Sequence, residues 1–229
     1  MGAGIDGCMV GWITVRIEQG QVSFELTRSI RAIPSVFEND MTLIDIPIGL
    51  SDHSERACDI EARRILKPKR HSSVFLTPVR AAAYAESYEE ACRINFAATG
   101  KKISKQAWNI LPKVREIDAF KREFPGVALR EAHPEVCFRA LNGKTACSHN
   151  KKTPAGISER LGILERTLPG ISQKITAYAD ANLKKHVSFD DIIDAAVLAC
   201  TASRKDKLQP LGNGEKDQAG VPMEIMYSE

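Results

Sequence analysis

The chain opens on period-two alternation. Residues 11–18 (GWITVRIE) and 22–26 (VSFEL) alternate, carry β-branched residues, and flank the turn Gln19-Gly20-Gln21. Residues 3–6 form a short strand before them, and Gly7 and Gly11 bracket a tight reversal. The pattern predicts a three-strand antiparallel meander. Residues 31–38 predict a short helix. Residues 41–46 (MTLIDI) are almost continuously apolar, which suits an interior strand buried on both faces, and Pro47 and Gly49 end it.

Residues 51–125 read as helical. Ser54 is placed to cap a helix through about Leu66, with Ala57, Ile60 and Ile65 on one face. Ser87 and Glu90 form a capping-box pattern, and Gly100 supplies the stop. Ser104 opens a helix carrying Trp108, Leu111, Ile117 and Phe120, which Pro112 is expected to kink or split. A short strand follows at 127–132, then a helix from Pro134 to about Leu141, ended by Asn142-Gly143. A further helix covers about 156–168. Ser188 caps a last one through about Ser203, with Asp190 and Asp191 in its first turn, where the dipole favours acids. Residues 204–220 read as a loop. Residues 221–227 read as an edge strand, since Pro222 cannot donate to a ladder. The order predicts an α/β protein with a mixed sheet: one domain over 1–229, with a helical insertion at about 51–125.

Composition narrows the class. The 229 residues are 43% apolar and 27% charged, which excludes a disordered or fibrous chain. Lys and Arg number 32 against 29 Asp and Glu, a formal net charge of +3. That excludes a polybasic coat on nucleic acid and leaves room for a local basic groove. The cysteines, at 8, 58, 92, 137, 147 and 200, contain no C-x-x-C pair, so no zinc ribbon or thioredoxin motif is present. Asp6 stands where a signal peptide needs an apolar run, and no stretch approaches the ~18 apolar residues of a membrane span. The expectation is a cytoplasmic protein with reduced cysteines and no membrane segment; no feature sets an oligomeric state.

Two acids sit inside apolar strands. Asp6 ends the first, and Asp45 lies near the end of the buried run. A buried unpaired carboxylate costs several kcal/mol, so each needs a partner or a metal. Turn chemistry explains one such acid about as well as a site does; two at strand ends favour a shared site. The third element is 188–196 (SFDDIIDAA). Asp191 and Asp194, three apart, share a helix face, as do Asp190 and Asp194, four apart. Asp191 also stands at the capping-box position relative to Ser188, whereas Asp194 has apolar neighbours on all sides. Hard cations such as Mg²⁺ or Mn²⁺ take such oxygen ligands, and paired ions activate water in phosphodiester hydrolysis. Asp6, Asp45 and Asp191 or Asp194 suffice for such a site.

The chain resembles the DUF429 family of predicted nucleases with a ribonuclease H-like fold. The runs that carry the resemblance are Gly4-Ile-Asp-Gly-Cys8, Ile44-Asp-Ile-Pro-Ile-Gly-Leu50, Arg56-Ala-Cys-Asp59, Ser72-Ser-Val-Phe75 with Pro78 and Arg80, Ser104-Lys-Gln106, Lys113, Glu131-Ala-His-Pro-Glu135 and Asp190-Asp191 with Asp194. The resemblance implies a ribonuclease H-like core with acids on strand one, strand four and the last helix, the places of Asp6, Asp45 and Asp191 or Asp194. The Asp-x-x-Asp spacing on that helix is similar to RuvC-type Holliday-junction resolvases.

Further candidates flank these acids. Glu131 and His133 fall on one side of a strand. His133 suits acid–base or ligand chemistry, against a plain loop hydrogen bond; Glu135, inside the family motif, stands slightly ahead of Glu131. Arg80, Lys113 and Ser73 suit phosphate, with ordinary surface charge as the rival for the lysines. Lys101-Lys102 and Lys151-Lys152 read as solvent-facing charge, and Trp12 and Trp108 as core. The leading expectation is a divalent-metal-dependent nuclease. Asp6, Asp45 and Asp194, aided by Asp191 and Glu135, hold the ions while activated water attacks in line on DNA or RNA. One rival is a nucleotide-binding phosphotransferase of the actin/sugar-kinase superfold, ranked lower because only one meander is visible. The other is a non-catalytic binding module whose acids are caps and turns.

Overall fold

The computed structural model describes residues 1–38 and 41–229. They gather into two compact units, Met1–Asp45 with Val127–Gln209 and Met226–Glu229, and Ile46–Gly126 with Pro210–Ile225.

The first unit is built on a five-stranded mixed sheet. Its strands are β1 (Gly2–Gly7), β2 (Trp12–Glu18), β3 (Gln21–Thr27), β4 (Met41–Ile44) and β5 (Leu129–Glu131). Their order is β3-β2-β1-β4-β5, with the meander antiparallel and the β1–β4 and β4–β5 pairs parallel. The predicted meander and buried run are therefore both present. The helix expected at 31–38 resolves into two 3₁₀ turns, Ile30–Ala32 and Pro34–Val36. Pro34 holds the preceding Ile33 in an extended conformation, which interrupts any helix there.

Four helices complete this unit. They are α5 (Pro134–Leu141), α6 (Pro154–Thr167), α7 (Ile171–Ala181) and α8 (Phe189–Ala202); α1 to α4 belong to the second unit. Helix α7 lies outside the predicted elements, although Ile171, Ile175 and Tyr178 repeat at helical spacing. Helix α8 is the spine. Every residue from Ile192 to Ala202 is buried, and the helix packs on β1, β2 and β4. Its core partners include Ile13, Val15, Leu43, Phe138 and Leu164.

Small residues allow this approach. A Cβ on Gly4 would lie 2.1 Å from the Ala195 carbonyl oxygen and 2.3 Å from the Ala199 nitrogen, both backbone atoms of α8. A Cβ on Gly2 would lie 2.3 Å from the Ser203 nitrogen. Gly4→Ala must push strand and helix apart and is expected to cost about 3 kcal/mol or more, at the upper end of overpacking. Denaturant unfolding reads this; a loss below about 1 kcal/mol would show that the contact yields easily.

The second unit holds α1 (Ala57–Ile65), α2 (Arg80–Ala83), α3 (Tyr88–Thr99) and α4 (Lys105–Glu123), so the expected helical segment follows the fourth strand. Three details differ from expectation. Helix α1 starts after Arg56 rather than at Ser54, whose hydroxyl lies 3.3 Å from that of Ser51. Its buried face is Cys58, Asp59 and Ala62, while Ile60 is 49% exposed. The reason is the buried Arg56–Asp59 ion pair, 2.5 Å long, which takes the inner face. Helix α4 runs unbroken through Pro112. Pro112 is exposed, while Leu111, Val114, Ile117 and Phe120 are buried, so packing of the inner face outweighs the ~3 kcal/mol cost of an interior proline.

Two short strands close the chain, β6 (Leu208–Leu211) and β7 (Ile225–Ser228), and pair with each other. The stretch expected to be loop thus contains a strand, and the terminal strand starts four residues later than its apolar pattern. All six cysteines are free and buried. Among the described residues no helix is long and apolar enough to cross a membrane.

Candidate metal centre

Strand register places the first two acids. Ile5 of β1 is opposite Ile44 of the parallel β4, so Asp6 and Asp45 are the next residues on neighbouring strands. The Asp45 amide donates to the Ile5 carbonyl oxygen at 3.0 Å, which continues the pairing past the end of β4. Helix α8 crosses the same strands and delivers Asp194. One carboxylate oxygen from each of Asp6, Asp45 and Asp194 lies within 4.8 Å of the others. Asp6 is 8% exposed and Asp194 is 1% exposed.

Such a cluster resists ionisation. Burial pushes Asp6 well above the usual carboxylate range, and the charges of Asp45, Asp194 and Asp191 add to the effect. Burial likewise raises Asp45 to about 7; Lys151 works against the rise, and Glu135 and Asp191 add to it. Asp194 is raised to about 6, chiefly by burial, with Lys151 opposing and Asp45 reinforcing. Near the cluster, the buried oxygens Asp194 Oδ1 and Glu135 Oε2 have no hydrogen-bond partner. Buried polar atoms are normally paired, and a cation held by this acid cluster would give such oxygens a partner.

The other expected acids take distinct roles. Asp191 closes a capping box on α8: its carboxylate accepts from the Ser188 amide at 3.0 Å, and its own amide donates to the Ser188 hydroxyl at 3.4 Å. The structure therefore brings Asp194 into the converging trio, while Asp191 remains close enough to act by its charge. Glu135, in the first turn of α5, is ion-paired through Oε1 with Arg160. His133 caps the same helix, its Nδ1 accepting from the Glu135 amide at 3.2 Å. Glu131 is buried on β5.

Two basic residues join the site without being among the sequence candidates. Lys151, expected to face solvent, has its Nζ 2.6 Å from Asp194 Oδ2 and 3.7 Å from Asp190 Oδ2. Burial disfavours its charge, but Asp194, Asp6 and Asp45 outweigh that and hold its pKa above the ordinary lysine value. Burial pushes Asp190 up, but the Ser188 hydroxyl and Lys151 overcome it and leave this acid below its ordinary value. Arg160 is fully buried and also donates to the carbonyl oxygens of His149 (3.2 Å) and Gly156 (3.0 Å). Sequence offers little warning of either. Both are distant from Asp194 along the chain, on a segment that meets it only through folding.

Arg80, Lys113 and Ser73 lie in the second unit. Arg80 pairs with Asp118 at 2.8 Å and Asp217 at 2.6 Å, so its charge is already matched. Lys113 is half-buried on α4, and Ser73 is exposed in a 3₁₀ turn.

The donor set at the trio is carboxylate oxygen throughout, which fits a hard divalent cation better than a soft one. Fold and site together define an α/β protein whose five-stranded mixed sheet, flanked by helices, is consistent with a ribonuclease H-like fold. It carries a buried carboxylate cluster able to hold a metal ion. The chain belongs to the DUF429 family, described as proteins of unknown function, which matches residues 4–215. No curated protein and no solved structure matches it.

Proposed function

We propose that the protein is a divalent-metal-dependent nuclease, with Asp6, Asp45 and Asp194 holding Mg²⁺ or Mn²⁺. The observation that carries this reading is the convergence of three carboxylates, Asp6 and Asp194 buried and Asp45 part-buried, one of which, Asp194, keeps a buried oxygen, Oδ1, without a hydrogen-bond partner. A hard divalent ion bound there supplies charge neutralisation at a phosphodiester and acidity to a coordinated water. Asp6 and Asp45 would hold the ion from neighbouring strand ends, and Asp194 from a buried helix. Glu135, fixed by Arg160 through Oε1 and with Oε2 lacking a hydrogen-bond partner, adds its charge at Asp45, as does Asp191.

Nucleic acid is the proposed partner. Lys113, Ser73 and His133 are carried as substrate contacts. Arg80 is secondary, since it must release a carboxylate before it takes a phosphate. The helical segment is read as an insertion into one ribonuclease H-like domain, and the cytoplasm as the place of action. The test is incubation with duplex DNA, single strands, RNA and four-way junctions, with Mg²⁺, with Mn²⁺ and with EDTA. Expected is metal-dependent cleavage of at least one substrate, lost in Asp6→Asn. Metal binding without cleavage of any of them would overturn the nuclease reading.

A further inference from the structure

Lys151 belongs to a loop with little freedom. The Ser148 and His149 amides donate to Glu159 at 2.8 and 2.9 Å, and the His149 carbonyl oxygen accepts from Arg160. The Asn150 carbonyl oxygen accepts from the Thr153 hydroxyl at 2.8 Å, and its Oδ1 from the Lys152 amide at 3.0 Å. Gly156 of α6 lets this loop pack closely: a Cβ there would lie 1.9 Å from the Asn150 carbonyl oxygen. The backbone under Lys151 is thus anchored on both sides, and the side chain is aimed at Asp194.

The charges around that ammonium are unequal. Asp6, Asp45 and Asp194 converge, Asp190 stands 3.7 Å from Nζ, and one lysine offers a single positive charge. Its contact occupies Asp194 Oδ2 and leaves Asp194 Oδ1 without a partner. One ammonium is enough to make the cluster tolerable, yet it leaves an excess of negative charge that a divalent ion satisfies better. The Lys151 side chain is 37% exposed, so it has somewhere to move.

We propose that Lys151 is the resident counter-cation of this cluster, that a divalent metal displaces it from Asp194, and that the released ammonium then receives a phosphate of the substrate. The inference rests on reading the cluster as a divalent-metal site. Metal and lysine compete for Asp194, and the phosphate that arrives with the metal restores a partner to Lys151.

Calorimetric titration of the metal-free protein with Mn²⁺, without nucleic acid, tests the competition. Lys151→Met keeps the length and removes the charge. It is expected to bind Mn²⁺ about tenfold more tightly than wild type, within the usual range of coupling between two ligands of one site. Lys151→Arg keeps the charge and is expected to stay close to wild type. A merely structural lysine would give the opposite result, weaker binding on removal. Equal or weaker binding by Lys151→Met overturns the proposal. Cleavage then tests the second half: KM for nucleic acid is expected to rise in Lys151→Met more than kcat falls, and a pure loss of kcat overturns the phosphate role. Absence of Mn²⁺ binding in both wild type and Lys151→Met overturns the metal reading itself. Tighter binding without cleavage overturns only the nuclease reading.

Discussion

Asp45→Asn is expected to stabilise the metal-free protein while abolishing its metal-dependent activity. Removing an acid usually harms a folded protein when that acid is well paired, but Asp45 is not in that position. Burial raises its pKa to about 7, with Glu135 and Asp191 adding to the rise. At pH 8 the native state therefore carries a charge it disfavours, and a neutral amide of the same shape relieves it. From a shift of this size, the gain at pH 8 is on the order of 1–4 kcal/mol, or a few degrees in Tm per kcal/mol for a chain of this length. The same substitution removes a metal ligand, so cleavage is expected to fall by about 10³-fold or more, as when one member of a catalytic set is removed. Asp6→Asn is expected to behave likewise, since an asparagine Oδ1 can still accept from the Gly7 amide, now bonded to Asp6 at 2.7 Å. Asp194→Asn is expected to differ: it deprives Lys151 of its partner and brings no stabilisation. Thermal melts in EDTA at pH 8, beside Mn²⁺ titration, read both effects. If Asp45→Asn melts lower than wild type and binds Mn²⁺ equally well, the shared carboxylate site is wrong.

The second large effect is a reversal of pH dependence by metal. Asp45 and Asp194 have native values of about 7 and about 6 against an ordinary value of 3.8. Between about pH 4 and pH 7 the native state then holds protons that the unfolded chain has released. Stability rises with pH only where the unfolded state binds more protons, so here it falls as pH rises through this window. Metal inverts the trend. Ligand carboxylates must be deprotonated to bind a cation, so proton and metal compete, and stabilisation by Mn²⁺ grows as pH rises through about 6 to 7. Melting curves with EDTA and with saturating Mn²⁺, at several pH values from about 5 to 8, check this. The difference between wild type and Asp45→Asn separates the site from the rest of the chain. Should that difference stay flat across the window in EDTA, the acids are not uncompensated as described.

Both effects depend on residues that are conspicuous in the sequence but whose meaning is only half legible there. Asp6 and Asp45 stand out because a carboxylate in an apolar strand is costly. Their pairing follows from strand order, which places β1 beside β4. Spacing cannot choose between Asp191 and Asp194, because both share a face of α8 with a neighbouring acid or each other. The capping box takes Asp191, and the burial of α8 gives Asp194 to the site. Lys151 escapes a sequence reading because a Lys-Lys pair in a polar stretch has no local feature to separate it from surface charge. Only the packing of its loop against α6 aims it inward. Arg80 looks free for phosphate along the chain, and its matching acids, Asp118 and Asp217, are distant in sequence.

By itself the sequence determined the local grammar: the alternating meander, the buried fourth strand, the Ser188 cap, the absence of paired cysteine motifs and the two conspicuous acids. These follow from short-range periodicity and from desolvation cost, which act within a few residues. Tertiary structure alone decided which charges meet. Register set Asp6 beside Asp45. The glycine contacts between β1 and α8 brought Asp194 to them, and a fixed loop supplied Lys151 as counter-charge. Electrostatic energy falls with distance in space and is indifferent to distance along the chain, so these pairings exist only once the chain is folded.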